Sequence, residues 1–338
     1  MRAAVVGTEP QEPPVRVMDV PRPRASGDWV VVRLERASLN RLDAMMLEQR
    51  TSEAPGAILG SDGAGVVHEL GPDVPASRGW AAGDHVIVSP SLHWGLDERF
   101  PSPEYEILGS PTHGTHAEYV AVPAANLHAK PQHLTWEEAA SLPMAGLTAW
   151  RALVTRGRLA EGETVLVGAA SSGVGTAAIQ IAAAAGARVV AVTASGAKAA
   201  EALQLGAAAT VDRTAADVAD QLRAATGGGH ADLALDPTGT LWGPFVANLR
   251  SAGRLVVVGK MAAAVATLDV QSVYWKQVDV LGSSMGSPRD FDALLAQVRA
   301  RRWAPRVDSV FPLREIGAAY ARLDAAERVG KVVLDVRA

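Results

Sequence analysis

A chain of 338 residues exceeds what one ordinary hydrophobic core organises, so two domains are expected, and 48% hydrophobic with 20% charged residues excludes a disordered or fibrous chain. Lys and Arg number 32 against 36 Asp and Glu, a formal charge of -4 with no polybasic block, which argues against nucleic acid or an anionic membrane surface as partner. Cysteine is absent, which removes disulfides, thiolate metal ligands and cysteine nucleophiles together.

The N-terminus MRAAVVGTEPQEPP has one basic residue and too short an apolar run for a signal peptide. Charges or glycines interrupt every long hydrophobic stretch, so no membrane span and a cytoplasmic protein are expected. Up to about residue 122 the apolar runs are short: AAVV, WVVVRLERA, GAGVVHEL and DHVIV, punctuated by Pro and Gly, which predicts a mostly antiparallel β region. The stretch Ser89 to His116, rich in Pro, Gly and Ser, reads as an excursion or lobe. After Trp136, Ala-rich helical segments alternate with solid apolar strands, the pattern of a parallel sheet. Strands are predicted at ETVLVGA, ARVVAVT, AATVD, ADLALD, GRLVVVG and DVLGSSM, with helices at Gly173 to Ala185, Lys198 to Leu205, Ala215 to Ala225 and Leu241 to Leu249. The run VATLDVQSVYWKQVDVLGSS reads as strand-forming segments at the sheet edge. Helices at Phe291 to Arg301 and Ile316 to Ala326 and the strand KVVLDV return to the first domain. The fold class is α/β with a doubly wound parallel sheet, and the boundaries are 1–127 with 290–338 for one domain and 128–289 for the other.

TVLVGAASSGVGTAAIQIAAAAGARVVAVTAS is strand, tight turn, helix and strand, with Ala170, Ser171, Ser172, Gly173, Val174 and Gly175 at the turn. Small residues let the backbone approach a pyrophosphate, and free amides at the positive end of the helix neutralise its charge. The same small residues also serve plain helix-sheet packing. Ala170 and Ser172 replace the first two glycines of the usual dinucleotide fingerprint. At the end of the next strand, Thr193 to Lys198, no acid is present to bond a ribose 2'-hydroxyl. Ser195 and Lys198 suit a 2'-phosphate, so NADPH is the expected cofactor; alone, Lys198 reads equally as a solvated helix residue.

Taken in order, SLNRLDAMM, ILGSDGAGVV, GTHAEYVAVP, LPMAGLTAW, SSGVGTAAIQIA and GKVVLDV resemble the medium-chain dehydrogenase/reductases over nearly the whole chain. The resemblance implies a Rossmann sheet in the second domain and a GroES-like catalytic domain in the first. Zinc-dependent members hold the metal with Cys, a His beside an acid, and Cys; these positions fall on Asn40, Ser61, Asp62 and, for the last, on or near Met144. Such side chains make a poor tetrahedral site, so no catalytic zinc is expected. The structural-zinc lobe of such enzymes corresponds to Ser89 through Pro111, here expected to be held by packing of Trp94, Phe100, Tyr105 and Leu108. His93, His113 and His116 raise the alternative of another metal, but their spacing is not a helical two-histidine pattern, and surface or hydrogen-bonded histidines are expected instead.

Without zinc the chain is similar to the quinone oxidoreductase and enone reductase branch, in which Asn and Asp occupy the positions of Asn40 and Asp43, the candidate catalytic residues. The resemblance puts Asn40 and Thr148 beside the nicotinamide, Gly259 and Met285 at the pocket edge, and Lys331 close to the cofactor. Arg213 stacks on the adenine or is a surface arginine. Candidate donors to the acceptor oxygen are Asn40, His113, His116, Tyr119 and solvent, with packing as the alternative for Tyr119. Tyr274, Trp275 and Trp94 read as apolar walls for a planar acceptor or as core. The expected activity is hydride transfer to a small quinone or α,β-unsaturated carbonyl, in a homodimer paired at the sheet edge. The alternatives are an NADPH-binding regulatory or structural protein, and an enoyl reductase acting on a thioester.

Overall fold

The alternating and solid apolar runs of the N-terminal third become paired strands because each must bury one face. In the computed structural model, which describes residues 1–7, 13–48, 56–194, 196–228, 230–301 and 303–338, β1 (Arg2–Val6) pairs antiparallel with β2 (Val15–Asp19). β3 (Trp29–Ser38) leads into α1 (Arg41–Glu48), which sequence reasoning left undetected, and β4 (Asp62–Leu70) returns antiparallel along β3. The two backbones come together at Gly65, where a Cβ would stand 2.1 Å from the Arg33 carbonyl oxygen. β5 (His85–Val88) follows, then the short hairpin of β6 (Ser91–Leu92) and β7 (Glu106–Ile107), and then β8 (Tyr119–Pro123), β9 (Leu127–Ala129), α2 (Trp136–Ser141) and α3 (Pro143–Trp150).

The lobe around the β6–β7 hairpin is held as expected by Trp94, which lies edge-on to Tyr105 at 5.4 Å, and by buried Leu108. Phe100 departs from that expectation: it is 56% exposed, with the Arg99 guanidinium 5.6 Å from its ring.

A π-helical segment, Arg151–Arg156, precedes the second set of elements. These are β10 (Thr164–Val167), α4 (Gly173–Ala184), β11 (Arg188–Thr193), α5 (Gly196–Gln204), β12 (Ala209–Asp212), α6 (Val218–Ala225), β13 (Ala231–Asp236), α7 (Trp242–Asn248), β14 (Leu249–Val257), α8 (Val270–Lys276) and β15 (Asp279–Gly282). The six strands are parallel in the order β12-β11-β10-β13-β14-β15, the doubly wound order of dinucleotide-binding sheets. The run expected to be strand-forming from Val265 to Ser284 is corrected in part: α8 occupies its middle. Asp269 caps that helix by accepting from Ser272 N at 3.0 Å, and Gln277 ends it in a left-handed conformation. Local capping here outweighs the strand preference of Val, Tyr and Trp.

The chain ends with α9 (Pro288–Arg301), β16 (Val307–Pro312), α10 (Ile316–Asp324) and β17 (Lys331–Asp335). β17 pairs antiparallel with β3 and parallel with β16, completing the sheet β16-β17-β3-β4-β5-β9, with β8 also on β3. Two compact units result: Met1–Met144 with Ser287–Ala338, and Ala145–Gly286. Residues 128–144, assigned from sequence to the second domain, lie in the first unit because α2 packs on β3, β4 and β17. Among the described residues no helix is long and apolar enough to cross a membrane.

Candidate active site

Sheet register assembles a buried polar cluster in the first unit. Ser38, ending β3, is the cross-strand partner of Asp62, which opens β4, and Ser38 also pairs with Val333 of β17, two residues beyond Lys331. Lys331 Nζ donates to Asp62 Oδ2 at 2.9 Å and to Asn40 Oδ1 at 2.5 Å. Asn40 Nδ2 donates to Asp62 Oδ2 at 2.9 Å and to Ser61 Oγ at 3.1 Å, so both of its hydrogens are used internally. Asp62 Oδ1 accepts from the Met144 amide at 2.7 Å, matching an orphan donor in the first turn of α3. Thr115 Oγ1 donates to the Asp62 carbonyl at 2.7 Å.

Asn40, Ser61, Asp62 and Met144, the four positions compared with zinc ligands, therefore do come together, yet as a closed hydrogen-bond network. An amide, a hydroxyl and a thioether are poor zinc donors, and the single carboxylate is already matched by an ammonium. Among the described residues no group of three or more His, Cys, Asp or Glu is arranged to hold a metal ion.

Asp43 lies beneath this network in α1. Its Oδ2 accepts from the Asn40 amide at 2.6 Å while its own amide donates to the Asn40 carbonyl, a reciprocal cap that starts the helix. Burial pushes its carboxyl up to about 7, against the opposing pull of the Asn40 amide and the Lys331 charge. His116 is buried with neither ring nitrogen hydrogen-bonded, and burial drives it down to about 3. Its ring presses on Gly60, where a Cβ would sit 2.4 Å from Cδ2, and lies edge-on to Tyr320 at 6.0 Å. The Tyr320 hydroxyl also lacks a partner, and burial raises it well above its ordinary value.

The second unit carries the dinucleotide turn. Ser172 caps α4 by accepting from Gly175 N at 3.0 Å, leaving the amides of Gly173 and Val174 without an acceptor among the described residues. Ala170 is buried and Ser171 half-buried, and Ala169 before them takes the left-handed conformation at φ 46°. Gly175 is required: a Cβ would meet the Ala169 carbonyl oxygen at 2.2 Å and Ala170 Cα at 2.7 Å. Thr193, ending β11, is buried with its hydroxyl unpartnered, and its carbonyl accepts from the amide of exposed Arg213 at 2.7 Å. Two free helix-terminal amides beside a close-packed turn, with no acid at the tip of β11, fit a dinucleotide and its pyrophosphate.

The other expected residues have plain positions. Lys198 lies half-buried in the first turn of α5, and Ser195 falls outside the described residues. Thr148 Oγ1 is 3.8 Å from Met285 Sδ, both being buried, and Gly259 follows β14 with its Cα facing the Pro237 carbonyl. His113 Nδ1 accepts from the Ile58 amide at 3.3 Å, and Tyr119 packs edge-on against His68 with Arg22 over its ring, as packing predicts. Tyr274 and Trp275 are neither core nor enclosed walls but exposed on α8. The ion pair of Lys331 with Asp62 went unforeseen, as did the roles of Ser38, Thr115 and Tyr320. A lone lysine opening the apolar run KVVLDV was the available signal, since a buried cation needs an anion.

Residues 26–132 match the alcohol dehydrogenase GroES-like domain family and residues 173–300 the zinc-binding dehydrogenase family. A zinc-type alcohol dehydrogenase-like protein of Schizosaccharomyces pombe is 31% identical over 94% of this chain and 93% of its own length. Crotonyl-CoA reductase of Streptomyces collinus is 30% identical over 88% of this chain and 71% of its own. The crystal structure of an NAD-dependent alcohol dehydrogenase superposes with a TM-score of 0.92 at 38% identity, covering 99% of this chain and 100% of that one. With these likenesses spanning both units, the chain belongs to the medium-chain dehydrogenase/reductase superfamily and is an oxidoreductase of a family that binds a nicotinamide cofactor.

Proposed function

We propose that this protein reduces quinones or α,β-unsaturated carbonyls with NADPH and without a metal. The observation that carries this reading is the closed network in which Lys331 and Asn40 saturate Asp62 at the positions that relatives named for zinc would use. An unactivated alcohol needs a Lewis acid or base to release its proton, whereas a conjugated carbonyl accepts hydride onto carbon and moves charge to an oxygen. When bound, the cofactor supplies that hydride.

This chain's residues bind and orient. The Gly173 and Val174 amides, at the positive end of α4, take the pyrophosphate, and Ala170, Ser171 and Gly175 keep its bed narrow. Thr193, Ser195 and Lys198 receive the 2'-phosphate, Arg213 covers the adenine, and Thr148, Gly259 and Met285 line the nicotinamide. Asn40 and Asp43 act by holding position, Asn40 through its bonds to Lys331 and Asp62 and Asp43 through the α1 cap.

A second reading, enoyl reduction on a thioester, is favoured by the likeness to the crotonyl-CoA reductase of Streptomyces collinus. A protein that binds NADPH for regulation would share the turn but lack turnover. Dihydronicotinamide absorbance followed with a panel of quinones, enones and crotonyl-CoA separates the three, alongside thermal-shift ranking of NADPH against NADH. Chelator-resistant turnover of quinones or enones, with NADPH the stronger stabiliser, is expected. Stoichiometric zinc with alcohol oxidation would overturn the proposal, and a superior kcat/KM for crotonyl-CoA would select the thioester.

A further inference from the structure

The buried cluster holds one donor that its own geometry leaves unspent. Lys331 Nζ carries three hydrogens and has two acceptors, Asn40 Oδ1 and Asp62 Oδ2. The other donors are committed: both hydrogens of Asn40 Nδ2 to Ser61 and Asp62, that of Ser61 toward Met144 Sδ at 3.6 Å, that of Thr115 to the Asp62 carbonyl, and that of Ser38 to Asp62 or Ala140. Solvent reaches only one part of the cluster: Asn40 and Met144 are each 8% exposed and Lys331 4%, whereas Ser38, Ser61, Asp62 and Thr115 are at 0%.

We propose that Lys331 is a catalytic residue whose third N–H donates to the acceptor's carbonyl oxygen and stabilises the negative charge developing there. The two existing bonds fix the direction of the third, so the donor is oriented before the acceptor arrives, and a preoriented cation in a dry site is worth far more than one in water. The identity of the acceptor rests on the quinone or enone reading above. In an enone the β-carbon gains hydride with its electron pair, the C=C pair shifts to the α-carbon–carbonyl bond, and the C=O π pair settles on oxygen. That enolate oxygen is held by the Lys331 N–H without proton transfer, and water then protonates the α-carbon; the acceptor is reduced and the dihydronicotinamide oxidised. The ammonium thus supplies the electrostatic service that a bound metal performs for carbonyl polarisation.

The test uses 4-nitrophenol, whose visible phenolate band reports its own ionisation, bound to the full-length protein with NADP⁺. Wild type is expected to favour phenolate and lower the bound probe's pKa by about one unit, a roughly tenfold preference. Lys331→Met should abolish this shift and reduce kcat for an enone by about a hundredfold, a larger factor than any accompanying loss of NADPH affinity. Because that variant strands the Asp62 carboxylate, the double variant Asp62→Asn with Lys331→Met, which removes both charges, is measured in parallel. A probe shift that depends on Lys331 supports the assignment even if no enone or quinone is turned over, in which case the substrate reading alone fails. A wild type that takes up no phenolate, a shift retained in both variants, or a loss confined to NADPH affinity overturns it.

Discussion

At the scale of single residues, Asp43 and His116 bend the pH dependence of stability in opposite directions. A carboxyl raised from 3.8 to about 7 by burial binds its proton more tightly in the folded state, so its effect on stability falls as pH rises between those values. Each unit is worth roughly 1.4 kcal/mol, a few kcal/mol in all across the window. His116, lowered from 6.5 to about 3, is neutral in the fold, so its contribution improves with pH over that range. Asp43→Asn keeps an acceptor for the Asn40 amide while removing the titration, although Lys331, Asp62 and Tyr320 remain around it. Urea unfolding from about pH 5 to about pH 8 should show the variant gaining on wild type as pH rises; a constant offset between the two would refute the assignment. Asn40 and Asp43 were visible in the sequence as positions, but their work was not, because the partners that saturate Asn40 come from β4, from Ser61 just before it, and from β17.

At the scale of elements, the strand, turn and helix from β10 to α4 are the part whose local structure the sequence exposed most fully. Small residues between an apolar strand and an Ala-rich helix serve either a pyrophosphate bed or close helix-sheet packing, and the structure adds which of them cannot change. Gly175→Ala would drive a Cβ into the Ala169 carbonyl and the Ala170 backbone, so a destabilisation of about 1–3 kcal/mol and a marked loss of cofactor affinity are expected. Ser172→Ala removes only the cap, about 1 kcal/mol, and leaves the Gly173 and Val174 amides free, so NADPH should still bind nearly as well. Fluorescence titration of both variants checks the pair; equal losses of affinity would mean that the Ser172 hydroxyl itself contacts the ligand. The parallel strands were legible because burial on both faces forces unbroken apolar runs. Helix α8 was not, since its cap at Asp269 is a local signal set among residues that prefer strands.

At the scale of the whole molecule, the six-stranded parallel sheet ends at β15, whose Val280 is 39% exposed, beside α8 with Tyr274 and Trp275 on its surface. Among the described residues no strand pairs with the outer side of β15, an edge that suits self-pairing across a two-fold axis, and we propose the homodimer there. Val280→Lys should convert a dimer to a monomer in light scattering coupled to gel filtration, with cofactor binding kept; an unchanged mass would place any interface elsewhere. The two-unit architecture was readable because strand and helix periodicities differ along the chain. The ionic centre was not, because Lys331 and Asp62 stand 269 positions apart and only the fold pairs them. That pairing also constrains how such a chain can diversify. Replacing Asn40 by cysteine alone would strip two bonds from Lys331 and Asp62 before any ion could be held, and removing Lys331 alone would leave a naked carboxylate in the interior. Either single replacement therefore passes through a weakened protein, so the members of this network are expected to change together rather than one at a time.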